Sequence, residues 1–143
     1  MIRRWFFTDP EVAIDSDDPA LIAAVQKVVA CLPEFWKRFE RKATEDKDFA
    51  VKVRIEVDDN NDNAEQVWCE VQDRQGSTVR GILMNRPSHI PFAEGQGLEF
   101  DESDITDWAF RENGKLVGGE TLRVMLEKVS PAEAKKMRED MGW

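Results

Sequence analysis

At Phe49 the spacing of apolar residues changes, and no other feature of the chain constrains its fold as tightly. Upstream, Leu21, Val25, Val28, Leu32, Phe35 and Phe39 recur every three or four residues, which draws one apolar stripe down a helix. Asp17 or Asp18 can cap that helix with Pro19 in its first turn, while Pro33 lacks an amide proton and predicts a kink or two abutting helices near Leu32, the unbroken phase of the stripe favouring the kink. Downstream, Phe49, Val51, Val53, Ile55 and Val57 alternate with Lys52, Arg54 and Glu56, the pattern of a strand with one buried face. A chain that changes period in this way is expected to lay its helix over a sheet.

The alternation continues past a polar turn at 58–63, where Val67, Cys69 and Val71 alternate with Trp68, Glu70 and Gln72 to complete a hairpin. Arg74-Gln75-Gly76 turns the chain into a strand at 79–84, which Asn85-Arg86-Pro87 ends because proline cannot continue a ladder. The 88–97 loop exceeds the usual connection of about 4–6 residues and is expected to have a role beyond linking. After a short strand at 98–100, Asn113-Gly114 suits a tight hairpin turn in which both central residues take positive φ. Gly118-Gly119 breaks the last strand. Leu122, Met125, Leu126 and Val129 then share a helical face, and Ser130-Pro131-Ala132-Glu133 carries the cap, proline and glutamate that open a final helix. The fold expected is α+β: a twisted antiparallel sheet of five to six strands, a long N-terminal helix packed on one face, and short C-terminal helices.

Composition bounds the function classes. A chain of 143 residues, 41% hydrophobic and 34% charged, suits one domain over 1–143 with its own core. Cys31 and Cys69, the only cysteines, are too few for a disulfide framework or a thiolate zinc site and are expected to be free. The basic and then apolar start, Arg3-Arg4-Trp5-Phe6-Phe7, meets Asp9 and Pro10 too soon for a secretion signal, and no stretch approaches the roughly 20 apolar residues that span a bilayer. A soluble, cytoplasmic protein is therefore expected. The net charge of −9 repels phosphate, which disfavours nucleic acid and anionic lipid and suits a basic protein partner.

Candidate reactive groups do not assemble into a complete set. Asp58, Asn60 and Asp62 alternate as in a calcium loop, but Asn63 stands where the turn needs glycine and Cys69 where it needs a bidentate glutamate. His89, the only histidine, has Ser88 beside it on an extended segment, an arrangement unsuited to a catalytic triad. Asp101, Glu102, Asp104 and Asp107 crowd together in sequence, with Asp104 and Asp107 the only plausible acid/base pair. Trp36, Trp68, Trp108 and Trp143 fill a core or mark a recognition surface, and Asp107-Trp108 is expected to be structural, with Trp108 anchoring the sheet to a helix and Asp107 accepting backbone or Arg123 hydrogen bonds. Trp68 alternates opposite Val67 and Cys69, so either the helix covers its face or it is exposed on the sheet, the core being the expected place, and Gly95-Gln96-Gly97 lacks the rest of a dinucleotide fingerprint.

Four runs, Glu65 to Val71, Gly81 to Pro87, Ile105 to Phe110 and Gly114 to Arg123, contain Trp68, Asn85-x-Pro87, Asp107-Trp108 and Gly118-Gly119-x-Thr121 in order. In this the chain resembles the YegJ-like family of uncharacterised bacterial proteins, over a core of about 43–126. Gln66, Phe110 and Glu120 depart from that pattern. The resemblance implies a fold and a bacterial origin and supplies no mechanism.

The expected function is a small non-catalytic interaction or binding module without cofactor or metal, of immunity type against a basic partner. The alternative is a small-molecule binder or enzyme on the sheet face near Trp68 and Trp108 with the 88–97 loop. The residues singled out for binding are Trp68, His89, Asp104, Asp107 and Trp108. A concave, partly open cavity lined by both tryptophans would favour the alternative; burial of both in the core would count against it.

Overall fold

A computed structural model describes residues 17–56, 64–87 and 90–143. Helix α1 (Pro19–Arg41) starts where the Asp18 carboxylate accepts the Ala20 amide at 2.8 Å, with Pro19 in the first turn where its missing proton costs nothing. It runs through Pro33 as one helix, which excludes the two abutting helices that were the less favoured outcome there. Its buried residues are Ala24, Val28, Phe35 and Trp36; of the stripe read in the sequence Val28 and Phe35 are buried, while Leu21, Val25, Leu32 and Phe39 are only half-buried. By length and composition α1 meets the criterion for a membrane-crossing helix, with a mean hydropathy of 1.2, which corrects the expectation that no stretch approaches that size. A core helix passes the same test, although only 22% of this stretch is buried and Ile22 and Val29 stand exposed.

The strands are β1 (Asp46–Glu56), β2 (Ala64–Gln75), β3 (Thr78–Leu83), β4 (Gly97–Asp101), β5 (Ile105–Glu112) and β6 (Lys115–Gly118). They form a six-stranded antiparallel sheet in the order β4-β3-β2-β1-β5-β6. Helices α2 (Glu120–Leu126) and α3 (Pro131–Met141) follow, completing the expected α+β class. Asn113 and Gly114 take φ of 52° and 83° at the β5–β6 turn, and the Ser130 hydroxyl accepts the Glu133 amide at the start of α3. The described residues divide into two compact units, 50–106 and 17–49 with 107–143.

In the first unit β1 pairs with β2 in the register Val51↔Cys69, Lys52↔Trp68 and Val53↔Val67, and β2 pairs with β3 through Cys69↔Leu83. The polar turn expected at 58–63 lies outside the described residues. Pairing places Val51, Val53, Val67, Cys69 and Leu83 on one face, all nearly inaccessible. The other face is not simply wet: Lys52 is 6% and Trp68 2% exposed, so these strands are buried on both sides. One buried face was the expectation for β1. Beyond β3 the Met84 amide bonds to the Trp68 carbonyl at 3.0 Å, and Met84, Pro87 and Ile90 are buried, which gives this unit apolar groups beyond the sheet's own.

The second unit is organised by rings. Phe35 meets Phe49, Trp108 and Phe110 at centroid distances of 5.6, 5.3 and 6.3 Å, and Phe49 stacks on Phe110 at 4.9 Å. The Trp108 indole N–H donates to the Val28 carbonyl at 3.1 Å, which fastens β5 to α1. At the helix's end Asp46, its side chain fully covered, accepts from Arg38 and Arg41 at 2.8 Å each, and Arg38 also reaches Glu112.

The Arg38 hydrogen bond holds the Asp46 carboxyl below its ordinary 3.8, against the opposing effect of desolvation, with Arg41 adding to it. The folded value lies below the unfolded one, so this contribution is fully present above about pH 4 and is lost as pH falls through the folded value. Urea midpoints measured from pH 6 to pH 2 are expected to fall less steeply below pH 4 for Asp46→Asn than for the wild type; parallel curves would show that the carboxylate is not coupled to folding.

Candidate functional site

The five residues singled out from sequence fall in different settings. Trp68 and Asp104 belong to the unit 50–106, Asp107 and Trp108 to the other, and His89 lies outside the described residues. Trp68 and Trp108 are 2% and 9% exposed, so neither indole offers an open face. Asp107 is completely buried. Its carboxylate accepts the amides of Trp108, Glu120 and Thr121 at 2.8, 3.2 and 2.9 Å, together with the Thr121 hydroxyl. The side chain thus caps the start of α2, where unbonded amides would otherwise be sealed from water. Arg123, considered as a partner for Asp107, instead donates to the Gly118 carbonyl at 3.3 Å and lies over the Trp143 ring at 3.8 Å. Asp104 is exposed at the end of a 3₁₀ turn, Glu102–Asp104.

Asp104 does border a cavity. A cleft of about 340 Å³ in the first unit has Val53 and Ile55 of β1 on one side, Leu98 and Phe100 of β4 on the other, and Phe92 from the long loop. In the sheet order β2 and β3 separate β1 from β4, so residues of both reach one cavity because the apolar face is concave. Ile55, Phe92, Leu98 and Phe100 are each only half-buried, whereas Val53 on the floor is inaccessible. Carboxylates of Glu56, Glu99 and Asp104 stand at its margin, all on exposed residues, with Arg54 at 3.7 Å from Glu56. Apolar walls with a charged margin suit an apolar group carried on a cation.

A second hollow of about 570 Å³ lies along β2, β3 and β4, bordered by Gln72, Asp73, Arg80, Ile82, Gly97 and Glu99. It exists because the β2–β3 register shifts between Val71 and Asp73, leaving Gln72 as the extra residue, and because Gly97 places bare backbone opposite Ile82. Leu98 and Glu99 border both cavities. Gly81 keeps the strands close: a Cβ there would lie 3.0 Å from both the Cys69 Cβ and the Glu70 carbonyl.

Sequence reasoning marked the 88–97 loop but missed Phe92, Ile55, Leu98 and Phe100. The alternation of Leu98 and Phe100 was visible, yet a concave face depends on curvature that no local pattern records. Both cysteines are free, and burial pushes the Cys69 thiol up to about 12, which makes it a poor nucleophile. Among the described residues no three His, Cys, Asp or Glu side chains are placed to hold a metal ion.

Comparison with known proteins adds two findings. The profile of DUF2314, described as an uncharacterized protein conserved in bacteria, matches residues 18–143, taking in α1 and α3 as well as the strands. The match therefore extends beyond the 43–126 core at both ends. A putative ankyrin repeat protein of Neisseria meningitidis serogroup B is 30% identical over 112 residues, which is 76% of this chain and 43% of that protein. The chain thus spans less than half of this curated relative. No solved structure matches.

Proposed function

Because the chain belongs to DUF2314, a bacterial family without an assigned activity, we propose a function from the site alone: a single-domain binding module that takes an apolar group of a basic protein into the β1–β4 cleft. One observation carries this reading, namely half-exposed Ile55, Phe92, Leu98 and Phe100 surrounded by Glu56, Glu99 and Asp104 on a chain of net charge −9. Burying an apolar side chain there gives affinity, while the carboxylates steer a cationic partner and repel an acidic one. The likeness to a protein named for ankyrin repeats supports an interaction role. In its finer form the proposal is an immunity-type protein of the bacterial cytoplasm that neutralises a basic partner, within the YegJ-like group its motifs resemble.

The test compares two peptides of equal apolar content, one rich in lysine and one in glutamate, titrated into the isotopically labelled chain at low and moderate salt. Binding of the lysine peptide alone, weakened by salt and shifting the Ile55 and Leu98 methyl signals, is expected. Equal binding of both peptides, or of neither, overturns the reading. The cleft's size also lies within the range of about 300–1,000 Å³ that small molecules occupy. A neutral fragment that shifts the same methyls when neither peptide does would favour the small-molecule alternative.

A further inference from the structure

We infer that the outer edge of β4 receives an extended segment of the basic partner as an added strand, an inference that rests on the binding reading above and assigns its surface. Among the described residues β4 has a strand partner on one side only, β3, through Val79↔Phe100, Arg80↔Glu99 and Gly81↔Leu98. The flanking bonds set the parity of this ladder. The Leu83 amide donates to the Gln96 carbonyl at 2.9 Å and the Glu102 amide to the Ser77 carbonyl at 2.8 Å. Leu98 and Phe100, with the Gln96 carbonyl and the Glu102 amide at either end, therefore turn their backbone groups toward β3. Gly97, Glu99 and Asp101 consequently turn theirs outward, where a further strand would meet them.

Both cavities described above border this one strand. Register puts Glu99 on the face of Arg80 and the 570 Å³ hollow, and Leu98 and Phe100 on the face of the 340 Å³ cleft. A strand laid beside β4 alternates its side chains between the same two faces, so one set is directed toward each cavity. Main-chain bonding with alternate side chains in pockets is how added strands gain both affinity and selectivity. A single small ligand needs only one of the two.

Charge selects the occupant. Edges are commonly protected by charged side chains, proline or a bulge; β4 reads Gly-Leu-Glu-Phe-Asp, so its protection is its acidic charge, which turns away some partners and not others. Exposed Glu99, Asp101 and Asp104 repel another acidic edge, including that of a second copy of this chain, and admit lysine or arginine. The segment that fits alternates apolar and basic residues: apolar side chains toward the cleft, cations toward Glu99 and Asp73.

The probe is a capped eight-residue peptide of alternating lysine and valine, titrated into the full chain with amide shifts and hydrogen exchange as readouts. Slowed exchange of the Gly97, Glu99 and Asp101 amides is expected, because those are the donors the new strand would engage. Glu99→Gln keeps the outward N–H and removes one charge, and should weaken binding by about threefold. Glu99→Pro removes that N–H as well without touching a bond to β3, and should weaken binding at least tenfold. Methylating alternate amides of the peptide, in the register facing β4, should have a comparable effect and requires no change to the protein, so the test survives if Glu99→Pro does not fold. If both peptide forms bind alike, and Glu99→Pro where folded matches Glu99→Gln, strand addition is wrong while the cleft reading stands. If no lysine peptide binds at all, the binding reading itself has failed.

Discussion

Replacing Asp107 by alanine is expected to lower the free energy of unfolding by about 3–5 kcal/mol, enough to leave a domain of ordinary stability largely unfolded near physiological temperature. The magnitude follows from what stays behind. Three amides and one hydroxyl converge on a carboxylate that is 0% exposed, and alanine leaves them in a space sealed by protein. Each buried donor left unsatisfied costs about 1–3 kcal/mol, partly relieved where a water enters. Asparagine preserves the shape and one acceptor oxygen, so Asp107→Asn should cost roughly half as much. Urea unfolding of the three proteins checks the order; a wild-type midpoint in Asp107→Ala would show that the cap contributes nothing to folding.

Gly118→Ala is expected to cost about 3 kcal/mol or more although it adds one carbon. Gly118 has a φ of 85°, which already disfavours any residue with a side chain. The added Cβ would overlap the Trp108 carbonyl oxygen and stand 2.6 and 2.7 Å from two carbons of its ring. A carbonyl in a β-ladder cannot move aside without breaking its strand, and the ring is held by its bond to the Val28 carbonyl. Relief therefore has to come from shifting β5 against β6. Gly114→Ala provides the comparison, because φ is 83° there and the Cβ would meet open space. Calorimetry should show a much larger fall in Tm for the alanine at 118 than at 114; equal falls would assign the whole effect to backbone conformation.

These two residues also mark what could be read from the chain beforehand. The resemblance quoted Asp107-Trp108 and Gly118-Gly119-x-Thr121 together, and the sequence suggested an anchoring role for the first pair; the structure joins Asp107 to Thr121 and Gly118 to Trp108. Element types were legible because apolar period, turn chemistry and caps agree at Asp18, at Asn113-Gly114 and at Ser130. Burial on the second face was legible in part: covering of Trp68 was the favoured alternative, whereas Lys52 alternates as if exposed and no local pattern records what buries it. The cleft was hidden for the same reason. Ile55 and Phe100 are far apart in the chain, and only the curvature of four paired strands brings them to one cavity.

The second unit is discontinuous in sequence: its helix and its C-terminal hairpin are separated by the stretch 50–106, whereas the first unit is unbroken over that stretch. For Val28 to find Trp108, the chain must give up the freedom of everything between them. That entropy grows only logarithmically with contour length, by about 0.6 kcal/mol for each doubling, and shrinks when the intervening residues have already condensed. Successive hairpins along β1, β2 and β3 are short-range and can condense first. The order of assembly expected from polymer statistics is that the meander forms first and the aromatic lock between the chain's distant thirds closes after it.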